Sequence, residues 1–209
     1  MGRRIESLTL RTLDDLPARC RSCVFWELNP LDRAVAMEHD PDFEKEAWVS
    51  ATSLDIGTCG KVAYMDGIPA GYALAGMPGD FPRAAFFPAR VSKDAYFLAT
   101  LFVYPEHTGL GVGKALVQAI VKDAKDRGKR AIECFADREW RAPDCMIPAG
   151  FCEATGWRVK RDHARFPLMR IDMRSLAKVA SQMEAAMEEL LRTVRAPAEA
   201  PSPARTTGV

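Results

Sequence analysis

The sequence predicts an α+β domain in which helices cover a mixed, mostly antiparallel sheet. The dipeptide Asp66-Gly67 stands between two apolar runs, which is the arrangement typical of a hairpin between antiparallel strands. Residues 112–128 repeat apolar side chains at helical spacing between two further apolar runs, and a strand, a crossover helix and a strand give a parallel pair. A chain of 209 residues is long enough for one large domain with its own core.

The first third of the chain predicts one strand and two helices before the hairpin. Asp14 or Asp15 can cap a first helix that has Pro17 in its first turn, and Asp40-Pro41 can begin a second one. These elements are a strand over 4–12, a helix that Asn29-Pro30 breaks, a second helix over 40–53, and hairpin strands over 61–65 and 68–75.

A central strand and a helix dominate the second half of the chain. Tyr96 to Tyr104 is a run of aromatic, aliphatic and β-branched residues that Pro105 closes, and a long connection over 77–93 precedes it. The remaining predicted elements are a helix over 112–128, a strand over 131–135, a short helix over 146–155, and strands over 157–160 and 168–173.

Three glycines separate the central strand from its helix: Gly109, Gly111 and Gly113. Glycine lets backbone N–H groups face outward without a Cβ in the way, and the dipole of the helix favours negative charge at its N-terminus. The pattern therefore predicts that a phosphate or pyrophosphate binds over residues 108–113.

Two common phosphate loops do not fit this turn. Gly113-Lys114 matches the end of a Walker A loop, but Thr108 stands at the position of the first glycine and Ala115 has no hydroxyl for magnesium. A dinucleotide fingerprint requires a third glycine where this chain has Lys114, and it belongs to the first βα turn, whereas strands already precede this one.

The turn His107–Gly113, HTGLGVG, resembles the coenzyme-binding turn of the GNAT superfamily of N-acetyltransferases, with Thr108 where that family usually has Arg or Gln. The order of elements over 4–173 resembles the same fold, and the segment Gly150–Trp157 is a second similar piece. The resemblance implies an α/β three-layer domain whose central parallel strands splay around acyl-CoA. It also implies transfer of an acetyl group from acetyl-CoA to a primary amine by direct attack in a ternary complex.

The resemblance also implies roles for particular residues. The coenzyme-binding residues would be Leu101, Phe102, Val103, Thr108, Gly109, Leu110, Gly111, Val112, Gly113 and Lys114. A backbone N–H near Leu101 would stabilise the oxyanion of the thioester carbonyl.

Two side chains are predicted to be catalytic. Glu133 lies in an otherwise apolar strand, so it is paired, solvated or functional, and relatives use a Glu at this place as base. Cys152 stands where many relatives have the tyrosine that protonates the leaving thiolate. The alternatives are an outward-facing carboxylate for Glu133 and a small buried side chain for Cys152. Glu106 is a weaker candidate base than Glu133.

The acceptor amine should enter opposite the coenzyme, where sequence order brings together three segments: 29–40, 77–93 and 163–167. In the second of these, Phe81, Phe86 and Phe87 have no strand or helix to bury them. They are either a lid over an apolar or aromatic amine or part of the core.

Composition excludes several classes of function. A net charge of +1 argues against nucleic acid as a partner, and no apolar run approaches the roughly 20 residues of a membrane span. Six cysteines without a secretion signal predict reduced thiols in the cytoplasm.

Two other readings of the function stay open. A protein of this fold that lacks the usual Arg or Gln and Tyr can be a non-catalytic acyl-CoA sensor. Alternatively, Cys20 and Cys23 form a CxxC that could hold zinc in an interaction module, together with Cys59, Cys134, Cys145 or His39. At i, i+3 spacing the same two cysteines can simply pack in the core.

The C-terminus predicts two further segments. Residues 174–194 form an amphipathic helix whose apolar stripe follows a heptad-like spacing, suited either to packing on its own domain or to a homodimer. Residues 195–209 are rich in Pro and Ala and are predicted to be a disordered tail.

Overall fold

A computed structural model describes residues 2–141 and 145–173 of the chain. The strands are β1 (Arg3–Ser7), β2 (Gly60–Met65), β3 (Ile68–Gly76), β4 (Ala95–Val103), β5 (Ala131–Asp137), β6 (Ile147–Pro148), β7 (Arg158–Arg161) and β8 (Leu168–Asp172). The α-helices are α1 (Ala18–Arg21), α2 (Pro30–Glu38), α3 (Pro41–Ile56), α4 (Val112–Asp126) and α5 (Ala149–Ala154). Short 3₁₀ segments occupy Leu10–Asp15, Pro78–Asp80, Pro82–Phe86 and Pro105–His107.

The strands form one mixed sheet in the order β1-β2-β3-β4-β5-β8-β7, with β6 beside β5. The predicted parallel pair is β4 and β5, and β6 also runs parallel to β5 over two residue pairs. The pairs β1–β2, β2–β3, β3–β4, β5–β8 and β7–β8 are antiparallel. The predicted α+β class with a mostly antiparallel sheet is therefore confirmed.

The predicted N-terminal helices need correction. The helix expected up to Asn29 is only the four residues of α1, and Asn29-Pro30 starts a helix instead of breaking one. The Asn29 side chain accepts hydrogen bonds from the N–H groups of Leu31 and Asp32, and Pro30 occupies the first turn, where its missing N–H costs nothing. The segment 29–40, which was expected to separate two helices, is thus mostly α2.

Other boundaries follow local chemistry. Asp40 caps α3 by accepting from the Phe43 N–H at 3.0 Å. The first strand is shorter than predicted, because Thr9 donates its N–H to the Thr12 hydroxyl at 2.9 Å and the chain turns into a 3₁₀ segment there. Asp66 and Gly67 have positive φ values of 49° and 86°, as the predicted hairpin turn requires.

Different segments cover the two faces of the sheet. Along β5, Phe135 packs in an aromatic cluster with Trp26 and Phe87, whereas the neighbouring Cys134 contacts Cys152 of α5. Because successive side chains of a strand point to opposite faces, the Trp26 segment and α5 lie on different sides of the sheet. Three layers result, as the fold class predicts.

The helix predicted over 174–194, the tail over 195–209 and the proposed dimer contact lie outside the described residues. Among the residues that the structure describes, no helix is long and apolar enough to cross a lipid bilayer.

Candidate functional site

The glycine turn leaves the first backbone N–H groups of α4 without intrahelical acceptors. Gly109 and Gly111 adopt φ values of +79° and +77°, and Gly111 is the N-cap of α4 without any side-chain cap. The first N–H groups of an α-helix have no carbonyl partner within it. The 15 residues of α4 therefore direct both unpaired donors and the positive end of a helix dipole at this turn.

A cavity of about 850 Å³, here called the glycine-turn cavity, opens beside these N–H groups. Of the residues predicted to bind the coenzyme, those lining it are Leu101, Phe102, Val103, Thr108, Gly109, Gly111, Val112, Gly113 and Lys114. Leu110 does not line the cavity, and its side chain is half exposed. The Thr108 hydroxyl donates to the Tyr104 carbonyl at 3.4 Å, so it is used locally in the turn.

Several residues that were not predicted to bind the coenzyme complete the walls of this cavity. They are Pro17, Arg19, Pro105, His107, Trp140, Pro148, Phe151 and Thr155. The guanidinium carbon of Arg19 lies 5.3 Å from the centre of the Phe102 ring. With Lys114, Arg19 gives the cavity two cationic side chains, which suits an anionic ligand.

The parallel pairing of β4 with β5 ends early. Only Ala95–Phe97 pair with Ala131–Glu133, although both strands continue. The pairing of β4 with β3 contains a bulge at the same point. Leu98 and Thr100 pair with the successive β3 residues Ala75 and Leu74, so Ala99 between them is an extra residue without a partner in the register. Such a bulge bends a strand, so β4 turns away from β5 at this point.

The segment Cys145–Pro148 lies between the diverging strands. Ile147 and Pro148 pair with the last two residues of β5, and the Thr100 hydroxyl of β4 donates to the Cys145 carbonyl at 3.4 Å. Pro148 lines the glycine-turn cavity. The cavity thus extends from the glycine turn into the gap between β4 and β5.

Glu133 is buried in an ion-pair network and does not line the glycine-turn cavity. Its carboxylate accepts hydrogen bonds from the Ser92 N–H and hydroxyl, both at 2.8 Å, from Lys160 at 2.9 Å and from Arg170 at 2.8 Å. The sequence left open whether this carboxylate is paired, solvated or functional, and in the structure it is paired.

The electrostatics of Glu133 also argue against its predicted role as base. Burial raises the pKa of this carboxyl, but the hydrogen bonds from the Ser92 N–H, Arg170 and Lys160 outweigh burial, and the pKa is lowered overall. A carboxylate that is stabilised in its charged form and enclosed by four donor groups is a poor proton acceptor.

Cys152 is fully buried on α5, and its sulfur lies 3.7 Å from that of Cys134. It does not line the glycine-turn cavity, whereas its neighbour Phe151 does. The predicted role of Cys152 as proton donor to a leaving thiolate therefore has no geometric support, and the alternative of a small buried side chain describes its position.

The two cysteines of the CxxC motif differ in burial and in their contacts. Cys20 is buried in α1, whereas Cys23 is partly exposed and its sulfur lies 3.5 Å from that of Cys145. The hydrogen bond with Cys145 lowers the pKa of the Cys23 thiol to about 7, against the opposing effect of burial. Within residues 2–141 and 145–173, no three His, Cys, Asp or Glu side chains are arranged to hold a metal ion.

A second cavity of about 550 Å³, here called the aromatic cavity, is lined by parts of the segments predicted to receive the acceptor. Its lining residues are Phe25, Pro30, Arg83, Phe86, Phe87, Pro88, Asp137, Met146, His163, Arg165 and Phe166. Pro30 comes from the segment 29–40, four residues come from 77–93, and three come from 163–167.

The three phenylalanines of the connection have different positions. Phe81 is core, with its ring centre 5.4 Å from that of Phe97. Phe87 lies between cavity and core, stacked at 4.6 Å on Phe135 and at 4.9 Å on Trp26. Phe86 lines the cavity and is 64% exposed. The lid and core interpretations of this stretch therefore apply to different residues.

Residues that line the two cavities are neighbours at the end of β5. Asp137 lines the aromatic cavity, and Pro148, its partner in the β5–β6 register, lines the glycine-turn cavity. Met146 of the same short segment lines the aromatic cavity. The linings of the two cavities are therefore adjacent in the sheet at this point.

The sequence and the fold were compared with those of known proteins. A model of the acetyltransferase (GNAT) family matches residues 22–143, and no curated protein matches the chain. Among solved structures, the paia N-acetyltransferase from Thermoplasma acidophilum in complex with coenzyme A is similar, with a TM-score of 0.55 and 16% identity over 82% of this chain and 99% of that one.

Two further solved structures share the fold. An N-acetyltransferase from Staphylococcus aureus has a TM-score of 0.53 and 14% identity over 82% of this chain and 99% of that one. The structure of yncA from Salmonella typhimurium with its cofactor acetyl-CoA has a TM-score of 0.51 and 15% identity, covering 83% and 95% of the two chains.

Proposed function

The chain belongs to the acetyltransferase (GNAT) family, and from this premise we propose that it transfers an acetyl group from acetyl-CoA to a primary amine. The observation that supports this most directly is the glycine-turn cavity, which joins an anion site to the gap between β4 and β5. The paia N-acetyltransferase with coenzyme A and yncA with acetyl-CoA have the same fold and support the choice of coenzyme.

In this proposal the pyrophosphate of acetyl-CoA binds the glycine turn. Donors come from the backbone N–H groups of Gly109 and of residues 111–114. The N–H groups of Thr108 and Leu110 already donate to the carbonyls of Pro105 at 3.2 Å and His107 at 3.4 Å, so these two residues shape the turn. The cationic side chains of Lys114 and Arg19 add charge at the same cavity. Most members of the family have an Arg or Gln at the position of Thr108. Lys114 and Arg19 can take over its role, because a phosphate can be bound by cationic side chains from more than one direction.

The pantetheine arm lies along the free side of β4. Beyond Phe97 this strand has no β5 partner, so alternate residues of 98–103 direct unpaired N–H and C=O groups into the gap. We assign Leu101, Phe102 and Val103 to this contact. An N–H near Leu101 donates to the thioester oxygen as it gains negative charge during the reaction.

The acceptor amine binds in the aromatic cavity and reaches the thioester at the end of β5, where residues that line the two cavities are neighbours. The amine nitrogen attacks the carbonyl carbon, the new N–C bond forms, and the C–S bond breaks to release coenzyme A as a thiolate. The proton lost by nitrogen goes to water, and the thiolate takes a proton from water. Neither Glu133 nor Cys152 has a part in these transfers.

Calorimetry with coenzyme A and an assay of thioester consumption test the proposal. Arg19→Met and Lys114→Met should each weaken coenzyme A binding by about tenfold or more, the loss of about 1.4 kcal/mol expected for one cation–phosphate contact. Lys122→Met is the matched control, because Lys122 is exposed on α4 away from the cavity. Equal affinities for all three variants would contradict the site.

A second candidate is a non-catalytic acyl-CoA sensor of the same fold. It is favoured by one observation: the predicted base Glu133 is enclosed by donors and the predicted acid Cys152 is buried. A sensor binds acetyl-CoA without consuming it in the presence of any amine. Release of coenzyme A that depends on an added amine excludes the sensor, and tight binding without such release excludes the transferase.

A further inference from the structure

On the premise of the transfer reaction proposed above, we infer that the acceptor amine bears a carboxylate next to an aromatic body, and that Arg83 binds this carboxylate. The chemical class is that of an aromatic amino acid. The inference concerns the aromatic cavity, whose polar lining residues are Arg83, Asp137, His163 and Arg165.

Arg83 is held in place but not neutralised. Its backbone N–H donates to the Trp26 carbonyl at 3.4 Å, and its guanidinium carbon lies 4.7 Å from the centre of the Phe25 ring. Within residues 2–141 and 145–173 it forms no ion pair, and its buried Nε has no hydrogen-bond partner there. The Nε atom is enclosed by protein, so a carboxylate in the cavity would bind the terminal N–H groups of this guanidinium.

A second guanidinium lies near the same ring. The guanidinium carbon of Arg33, on α2, is 6.0 Å from the centre of the Phe25 ring, and its buried Nε also has no partner among the described residues. Phe25 therefore has two cationic neighbours, and neither of them forms an ion pair with a described residue. This concentration of positive charge favours an anionic ligand.

The remaining polar groups of the cavity offer donors and few acceptors. The side chain of Asp137 has no solvent exposure, and its oxygens accept from the Glu139 N–H at 2.8 Å and from Arg165 at 3.1 to 3.3 Å. The carboxylate of Asp137 is therefore already occupied, and it positions Arg165 at the cavity.

His163 is oriented as a donor as well. Its Nδ1 accepts from the backbone N–H groups of Arg165 at 3.2 Å and Phe166 at 2.9 Å. In a neutral imidazole the other nitrogen then bears the proton, so Nε2 donates. A cavity whose available polar groups are donors binds a carboxylate better than it binds a second ammonium group.

The apolar lining defines the rest of the ligand. Phe25, Phe86, Phe87 and Phe166 supply ring surfaces, and Phe87 is fixed by stacking on Phe135 and Trp26. The volume of about 550 Å³ lies within the usual range for small-molecule sites. Arginine recognises a carboxylate through two parallel hydrogen bonds, so an α-carboxylate at Arg83 with a ring against these phenylalanines satisfies both features.

The test measures binding of the reaction products, which needs no turnover. The full-length protein, saturated with coenzyme A, is titrated by calorimetry with N-acetyl-L-phenylalanine, with N-acetylphenethylamine and with N-acetylglycine. The second probe keeps the ring and lacks the carboxylate, and the third keeps the carboxylate and lacks the ring. We expect the first probe to bind at least about tenfold more tightly than either of the others.

Variants then assign the carboxylate contact. Arg83→Met should abolish the preference for N-acetyl-L-phenylalanine over N-acetylphenethylamine, and Arg83→Lys should keep part of it because the charge remains. Arg90→Met is the matched control, since Arg90 is exposed on the same connection and does not line the cavity. It should leave all three affinities unchanged.

Three results would overturn the inference: equal binding of the probes with and without the carboxylate, no effect of Arg83→Met, or no binding of any probe at about 10 mM. If Arg83→Met does not fold, Arg83→Lys and the probe comparison on the unmodified protein still decide. The coenzyme A titration separates the two proposals. Normal coenzyme A binding without probe discrimination refutes only the acceptor class, whereas failure to bind coenzyme A refutes the transferase and the acceptor class with it.

Discussion

Glu133 shows how one buried carboxylate can serve the fold rather than the reaction. Its partners come from three places: Ser92 before β4, Lys160 on β7 and Arg170 on β8. Glu133→Gln keeps the shape but removes the charge, so it should lower the free energy of unfolding by about 1–3 kcal/mol. The rate of acetyl transfer should change less than about threefold, measured beside a thermal or urea melt. A loss of about a hundredfold in kcat with unchanged stability would restore Glu133 as the base.

The same network predicts a direction for the pH dependence of stability. The pKa of Glu133 is lowered in the folded protein, so the unfolded chain binds the proton more readily. Its stabilising contribution is therefore complete above the unfolded value of about 4.3 and is lost as the pH falls through the lowered folded value. Urea melts should show the difference between wild type and Glu133→Gln shrinking over this acidic window, and a difference that grows on acidification would contradict the assignment.

Cys23 should be the most reactive thiol at neutral pH among the described cysteines. Its pKa is about 7 through the hydrogen bond with Cys145, and the same contact raises the pKa of Cys145. Because the thiolate is the nucleophile, alkylation of Cys23 by iodoacetamide should reach half its maximal rate near pH 7. Mass spectrometry of tryptic peptides measures this, with Cys145→Ser as the control that should shift the midpoint upward. Preferential labelling of Cys145 would reverse the assignment.

At the scale of elements, the glycine turn and α4 allow a matched comparison. Gly111 and Gly128 stand at opposite ends of α4 with φ values of +77° and +67°, but only Gly111 lines the glycine-turn cavity. Replacing either with Leu costs about 1–2 kcal/mol of backbone strain. Gly111→Leu should also weaken coenzyme A binding by well over tenfold in calorimetry, whereas Gly128→Leu should not. Similar coenzyme affinities in both variants would remove the turn from the binding site.

The connection between β3 and β4 predicts two separable effects. Phe86 is largely exposed at the aromatic cavity, so Phe86→Ala should raise the KM of the acceptor and leave Tm nearly unchanged. Phe87 packs on Trp26 and Phe135, so Phe87→Ala should cost about 3 kcal/mol and lower Tm by several degrees. The KM of acetyl-CoA is the internal control in both. A large fall in Tm for Phe86→Ala with an unchanged acceptor KM would make both rings structural.

Elements with strong local signals could be predicted from the sequence. The hairpin at Asp66-Gly67, α3 and α4 are specified by turn residues, caps and apolar periodicity over neighbouring positions. The prediction of a helix that contains Trp26 was wrong, because tertiary packing determines the backbone conformation of this segment. Trp26 lies among Phe25, Phe87, Phe97 and Phe135, which are distant in sequence except for Phe25.

The geometry of the glycine turn could be predicted from the sequence, whereas the partners of the buried carboxylates could not, for a physical reason. Gly109 to Lys114 form a continuous stretch, so strand, turn and helix are visible in sequence order. The ion pairs of Glu133 and Asp137 depend on Lys160, Arg165 and Arg170, which only the sheet brings near. Periodicity locates a carboxylate on a strand, but it does not reveal which charges surround it.

At the scale of the whole molecule, bound coenzyme A should stabilise the fold, because it would contact two parts of the sheet at once. Two residues in the walls of the glycine-turn cavity, Arg19 and Leu101, precede β5 in the chain. Two others, Pro148 and Phe151, follow β5. Coenzyme A at about 100 times its Kd should therefore add about 2.7 kcal/mol to the free energy of unfolding and raise Tm by several degrees. Differential scanning fluorimetry measures the shift. No shift at saturation would mean that the ligand does not bind the folded state selectively.

The early end of the β4–β5 pairing also bears on aggregation. Unpaired strand edges can recruit strands from other chains, and proteins commonly protect outer edges with charged residues. Here both outer strands are rich in arginine, with Arg3 and Arg4 on β1 and Arg158 and Arg161 on β7. The unpaired part of β4, in contrast, faces β5 and the segment Cys145–Pro148 inside the sheet. The protein can thus offer free main-chain groups to an extended ligand in a place that a strand from another molecule does not reach.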